Sequence, residues 1–149
     1  MSQPLPITAL DRVLELVVLL NEDMTSSLGR DGLTPSRAHL LWELRSRGPS
    51  TQRVLAEALG VSARNITGLV DGLVATGFVT RETHPTDRRA TLVSFTEHGA
   101  AITARMADGQ QELAALLFAD MAPERLDCLV DGLTDVLERL KSRLEQDHG

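Results

Sequence analysis

Four side chains in one short stretch, Ser62, Arg64, Asn65 and Thr67, carry hydrogen-bonding groups that suit the edges of nucleic-acid bases. An arginine can donate two parallel bonds to guanine, and an asparagine pairs both ways with adenine. A serine or threonine hydroxyl fits either a base or a phosphate. Further along, His84-Pro85-Thr86-Asp87-Arg88-Arg89 places two adjacent cations on a polar turn. Proline stiffens such a turn, and aspartate can bond its own backbone. These are binding groups, not catalytic ones. The histidines at 39, 84, 98 and 148 do not stand at metal-ligand spacing. No phosphate-cradling loop, nucleophile elbow or dinucleotide fingerprint occurs. Glu97 and His98 sit where they would cap a helix. The expectation is therefore no enzyme, no cofactor and no metal.

The elements that must position these groups can be read from spacing. Ser62 is an N-cap residue, and Ile66, Leu69, Val70, Leu73 and Val74 follow it at helical spacing on one apolar stripe. Gly77 ends that helix. The period then changes to two: Val79, Arg81 and Thr83 alternate with Thr80 and Glu82, and Leu92-Val93-Ser94-Phe95 forms a second strand. Upstream, Ser50 or Thr51 caps a short helix carrying Val54, Leu55, Ala58 and Leu59, and Gly60 turns tightly into Ser62. Helix, glycine turn and capped helix are the helix-turn-helix pattern, and the arginine-tipped hairpin is its wing. Gly68 and Gly72 lie four apart inside the second helix, each costing about 1 kcal/mol relative to alanine. They predict close approach of another backbone, either the preceding helix, which is favoured, or DNA.

A preceding helix starts at Thr34 as N-cap and Pro35 as first residue, carries Ala38, Leu41, Trp42 and Leu44 inward, and stops at Gly48-Pro49. The chain opens with a long helix from Pro6 to about Leu28, with Leu10, Val13, Val17, Leu20 and Met24 on its stripe and Gly29 at its end. After the hairpin, Thr96 caps a helix reaching about Phe118. A last helix begins at Pro123 and runs into His148-Gly149. There Leu126, Val130, Leu133, Leu137, Leu140 and Leu144 follow a heptad pattern, widened by Leu129 and Val136. A winged helix needs only half the chain. The spare terminal helices call for a partner surface, and a second copy is the simplest. A twofold homodimer would present two such helices about one turn of DNA apart, to a pseudo-palindrome.

With 149 residues, 42% of them apolar, the chain is expected to be one domain, 1–149. It is mainly α with a small β-hairpin wing. A lobe at 33–99 carries the winged helix-turn-helix, and dimerisation helices occupy 5–29 and 100–147. The net charge of −6 would argue against nucleic acid, but its distribution does not. Residues 35–95 hold eight basic and five acidic groups, a balance of +3, whereas residues 96–149 hold five basic and eleven acidic. The positive charge is confined to the suspected contact region. No apolar run is long enough to span a membrane and no signal peptide is visible. A single cysteine, Cys128, excludes an internal disulfide and fits a reducing cytoplasm. It reads as a packing residue.

Taken together, Leu33 to Gly99 resembles the MarR family of bacterial transcriptional regulators. The resemblance rests on Leu55-Ala56 through Val61-Ser62, on Asn65-Ile66-Thr67 to Gly77-Phe78-Val79, and on Asp87-Arg88-Arg89 leading to Phe95-Thr96-Glu97-His98-Gly99. Phe95-Thr96 stands where the family usually has Leu-Thr. The resemblance implies that Asp87 buttresses Arg89, which enters the minor groove, while Arg88 meets phosphate. It also places Ser62, Arg64, Asn65 and Thr67 in the major groove, with Ser36, Arg37, Thr51 and Gln52 at helix starts near phosphates. A repressor released by a small aromatic acid or phenol is further implied. Its candidate lining is Met24, His39 and Trp42, with Arg37 or Arg105 as anion partner. The competing reading is a winged-helix module that meets protein instead of DNA.

Overall fold

Short-range capping bonds decide where the helices of the central region begin. The structure is a computed structural model that describes residues 2–147. His148 and Gly149, into which the last helix was expected to run, lie outside the described residues. The hydroxyls of Thr34, Thr51 and Ser62 accept the backbone N–H groups of Arg37, Val54 and Asn65 at 3.2, 3.2 and 3.1 Å. Each satisfies one of the donors a helix start leaves without a partner. They open α2 (Pro35–Arg47), α3 (Gln52–Leu59) and α4 (Ala63–Ala75). The N-terminal α1 (Leu5–Arg30) runs past the expected stop at Gly29. Its left-handed residue is Gly32, at φ 74°. There the N–H of Leu33 bonds Leu28 O at 2.9 Å and that of Gly32 bonds Gly29 O at 3.3 Å. Leu28 and Leu33, the apolar pair that accompanies this ending, are both buried. That apolar contact selects the later glycine.

The sheet has three strands in the order β1-β3-β2, all antiparallel. The hairpin is β2 (Val79–Thr83) and β3 (Thr91–Phe95), with Val79 opposite Phe95 and Arg81 opposite Val93. The unexpected member is β1 (Ser50–Thr51), which pairs Ser50 with Val93 and Thr51 with Leu92. Two residues give no alternation to read. Pairing is what makes them a strand.

The chain divides into two compact units, Met1–Met106 and Ala107–Gly149, the boundary falling within α5 (Glu97–Phe118). In the first, Leu40, Leu41, Leu44, Leu55, Val70 and Leu73 are essentially inaccessible, with Phe78 and Val93 among them. Each such side chain contributes about 1.5–3 kcal/mol through burial. Leu40 belongs to this core although the stripe assigned to α2 omitted it, and Trp42 is only half-buried. On α3 the inward pair is Leu55 and Ala56, and Val54 is exposed. Val74 of α4 is exposed as well. The rest of each expected stripe is buried or partly buried, so the differences lie at the edges of the buried face.

The expected close approach of the preceding helix's backbone occurs at neither helical glycine. A Cβ at Gly68 would meet nothing within 4 Å, and the nearest atoms to one at Gly72 would be those of the Arg37 guanidinium, 2.7 Å from its Cζ. The tight approach is at Gly99 instead. A Cβ there would collide with the carbonyl of Phe78 and fall 3.1 Å from its Cα. Three bonds hold this junction: Thr96 N donates to Phe78 O at 3.0 Å, the Thr96 hydroxyl donates to Gly77 O, and Gly99 N donates to Thr96 Oγ1 at 3.0 Å. Because backbone cannot yield as a side-chain end can, Gly99→Ala should destabilise the fold by about 3 kcal/mol. That lowers the melting temperature by roughly 10 °C. An unchanged melting curve would show that the junction relaxes freely.

The second unit contains the end of α5 and all of α6 (Pro123–Asp147). No residue of α6 is buried in the single chain. Cys128, expected to pack, is exposed. Among the described residues no helix is long and apolar enough to cross a membrane.

Candidate nucleic-acid interface

The start of α4 is a polar, exposed helix end. Ser62, Arg64, Asn65 and Thr67 are all exposed, while Ile66 between them is buried and anchors the helix from below. Two of the four already have local duties. The Ser62 hydroxyl caps α4, and Thr67 donates its hydroxyl hydrogen to Ala63 O at 2.9 Å. Arg64 and Asn65 have no such side-chain tie among the described residues, so their donors remain available.

The wing tip is held by its own backbone. His84 N donates to Ala90 O at 3.1 Å, and Ala90 N donates to Asp87 O at 3.0 Å. The N–H groups of Thr86 and Asp87 both point at His84 Nδ1, 3.2 Å away. The Asp87 carboxylate accepts the backbone N–H of Arg89 at 3.1 Å. The link between these two residues therefore runs through the main chain and leaves the guanidinium of Arg89 unneutralised. Arg88 and Arg89 are exposed.

Ion pairing sorts the arginines of residues 35–95. Arg47 pairs with Glu43, Arg53 with Glu57 and Arg81 with Asp71. Among the described residues the remaining five, Arg37, Arg45, Arg64, Arg88 and Arg89, have no carboxylate within 4.0 Å. An exposed, unpaired guanidinium is a ready donor to phosphate or to guanine.

The other expected residues fare differently. Ser36 is exposed and borders an open cleft of about 630 Å³ with His39, Leu59, Val61, Arg64, Asn65, Gly68 and Leu69. Thr51 is the cap of α3. Gln52 is engaged inside the chain: its Oε1 accepts from Arg81 Nε at 2.7 Å and its Nε2 donates to Thr67 Oγ1 at 3.4 Å. The guanidinium of Arg37 lies over Gly72, towards the far end of α4 from Ser62.

Of the five side chains named for an effector, His39 alone borders that cleft. It lies 3.9 Å from Glu43, Arg105 pairs with Asp31 at 3.2 Å, and Met24 is exposed on α1. Among the described residues no group of three or more His, Cys, Asp or Glu could hold a metal ion.

Arg81 is the residue to which the sequence reading gave no role. The signal was present. Strict alternation puts it on the same face of β2 as the buried Val79, and a cation on an inward face requires partners.

A capped helix, a glycine turn, a second capped helix and a two-stranded wing together define a winged helix-turn-helix protein. Residues 31–90 match the model of the MarR family. The repressor NicR of Pseudomonas putida is 35% identical over 98 residues, 65% of this chain and 62% of that protein. The repressor YetL of Bacillus subtilis is 34% identical over 86 residues, 58% of this chain and 52% of that one. The chain thus spans between half and two-thirds of these relatives' length. Among solved structures, AbsC, a MarR family transcriptional regulator from Streptomyces coelicolor, superposes with a TM-score of 0.78 at 25% identity, covering 95% of this chain and 98% of that one. The central lobe of this chain is thus similar to the MarR family, and nearly the whole chain shares the fold of a solved member of it.

Proposed function

We propose that the chain is a sequence-specific, double-stranded-DNA-binding transcriptional repressor that acts as a homodimer on a pseudo-palindromic operator. The observation that carries this reading is the set of exposed, unpaired arginines at 64, 88 and 89, standing on a recognition helix and a wing in a protein of net charge −6. Arg64 and Asn65, with Ser62 and Thr67, read base edges in the major groove from the start of α4. Arg89 enters the minor groove and Arg88 binds phosphate. Ser36 and Thr51 stand at the starts of α2 and α3, where a phosphate oxygen can be accepted. The names of the relatives, both called transcriptional repressors, support the same reading.

The lobe at 33–99 reads DNA, and the helices of 5–29 and 100–147 hold two copies together. On α1, Leu10 and Val17 are more than half exposed; on α6 the same is true of Val130, Leu137 and Leu140, and Leu133 and Leu144 are nearly so. Val13 and Leu126 are half-buried. Apolar rows of this length rarely stay in water.

A mobility-shift titration with DNA from upstream of the chain's own gene tests the proposal. Binding should weaken steeply with salt, by about a hundredfold between 50 and 200 mM if four or more phosphates are contacted. Absence of any shift at the lower salt would favour a module that meets protein instead.

A further inference from the structure

Arg81 lies in the middle of β2 with 30% of its side chain accessible, and its guanidinium reaches two other elements at once. Nε donates to Gln52 Oε1 at 2.7 Å, at the start of α3. Nη2 donates to the carbonyl of Thr67 at 3.2 Å and lies 2.6 Å from the carboxylate of Asp71, both on α4. Gln52 closes the ring by bonding Thr67 Oγ1 at 3.4 Å. Opposite Arg81 across the hairpin stands Val93, fully buried, so the strand cannot roll to release the side chain.

We propose that Arg81 is a positioning residue that locks the wing to the recognition helix, so that Arg89 and Arg64 reach a duplex as one rigid piece. Its charge is answered by Asp71, and three of its five N–H donors are spent inside the protein, which leaves it less to offer a phosphate than Arg64 or Arg89. A hinge is otherwise available here, because the chain passes from α4 into β2 through Thr76 and Gly77 alone before Phe78 is buried. The planar fork is required. Lysine would restore the charge but not three bonds in fixed directions. The role in DNA binding rests on the function proposed above; the locking itself does not.

Two measurements on the full chain separate these parts. Residual dipolar couplings without DNA should fit one alignment tensor for α4 and the β2–β3 hairpin in the wild type. Arg81→Met and Arg81→Lys should need two, and Arg53→Met, at an exposed pair, only one. Asp71→Asn, which keeps the side-chain size and removes only the ion pair, covers the case in which Arg81→Met fails to fold. One shared tensor for every folded variant would overturn the proposal.

The second measurement uses the duplex that the wild-type chain enriches from a random-sequence pool. Loss of Arg81 should weaken binding about tenfold, and Arg89→Ala should then cost several-fold less than it does in the wild type. A residue that only stabilises the fold leaves the Arg89 penalty unchanged, and that result would overturn the coupling. Failure of the wild type to enrich any duplex would remove the DNA reading, while the couplings would still decide whether Arg81 locks the wing.

Discussion

Arg89→Ala should weaken binding to the selected duplex by about 10–100-fold, or roughly 1.4–2.7 kcal/mol. The reason is geometric and electrostatic together. Arg89 projects from a wing tip whose backbone is closed by the His84–Ala90 and Ala90–Asp87 bonds, so the main chain that carries it is set before any ligand arrives. The Asp87 carboxylate bonds the main chain of Arg89, not its guanidinium, and the positive charge stays whole. A narrow minor groove concentrates negative potential, so the penalty should be larger over A·T-rich flanks than over G·C-rich ones. The salt dependence should change by about one ion or less, since a single charge is removed. Arg64→Ala provides the contrast. It should relax preference at one base position, at a cost of about 1–3 kcal/mol, with little dependence on the flanks. Equal affinity of Arg89→Ala and wild type for an A·T-flanked site would refute the wing assignment.

The second large effect is expected at the opposite end of the chain. Leu137 is 53% exposed in the single chain, in a helix that buries no residue of its own. If α6 is the seam between two copies, Leu137→Arg removes about 2 kcal/mol of burial and forces a charge into an apolar contact. In a twofold interface every substitution occurs twice, so the loss doubles. A total of about 4 kcal/mol corresponds to roughly a thousandfold weaker self-association. Light scattering at micromolar concentration should then report a monomer or an unfolded chain where the wild type reports a dimer. DNA affinity should collapse with it, because one half-site binds alone. A folded, monodisperse monomer of the wild type at that concentration would remove the dimer from the proposal.

Features that depend on a few neighbouring residues were legible in the amino-acid sequence. The capping hydroxyls of Thr34, Thr51 and Ser62 bond an N–H three residues ahead, so the chain itself announces these helix starts. The hairpin was visible because alternation over Val79–Thr83 and the β-branched, apolar content of Leu92–Phe95, on either side of a Pro- and Asp-containing turn, are local patterns. The helix end at Gly29 was misplaced for the opposite reason. Two glycines stand three apart, and only the burial of Leu28 against Leu33 selects Gly32.

The misses are contacts between residues far apart in sequence. Ser50-Thr51 becomes a strand only because Leu92 and Val93 lie beside it. Gly99, within the Phe95–Gly99 run that marked the family, is where backbone meets backbone at Phe78, whereas Gly72 merely makes room for an arginine side chain.

By itself, the order of residues determined the helix-turn-helix, the wing, the polar face of the recognition helix and the apolar rows on the terminal helices. Each follows from periodicity or from bonds spanning three or four residues. Only the tertiary structure decided which arginines are free and which is spent. Arg64, Arg81 and Arg89 are the same side chain in the sequence, but Gln52, Thr67 and Asp71 close around one of them. Such pairing depends on where distant segments meet in three dimensions, and a one-dimensional period carries no information about that.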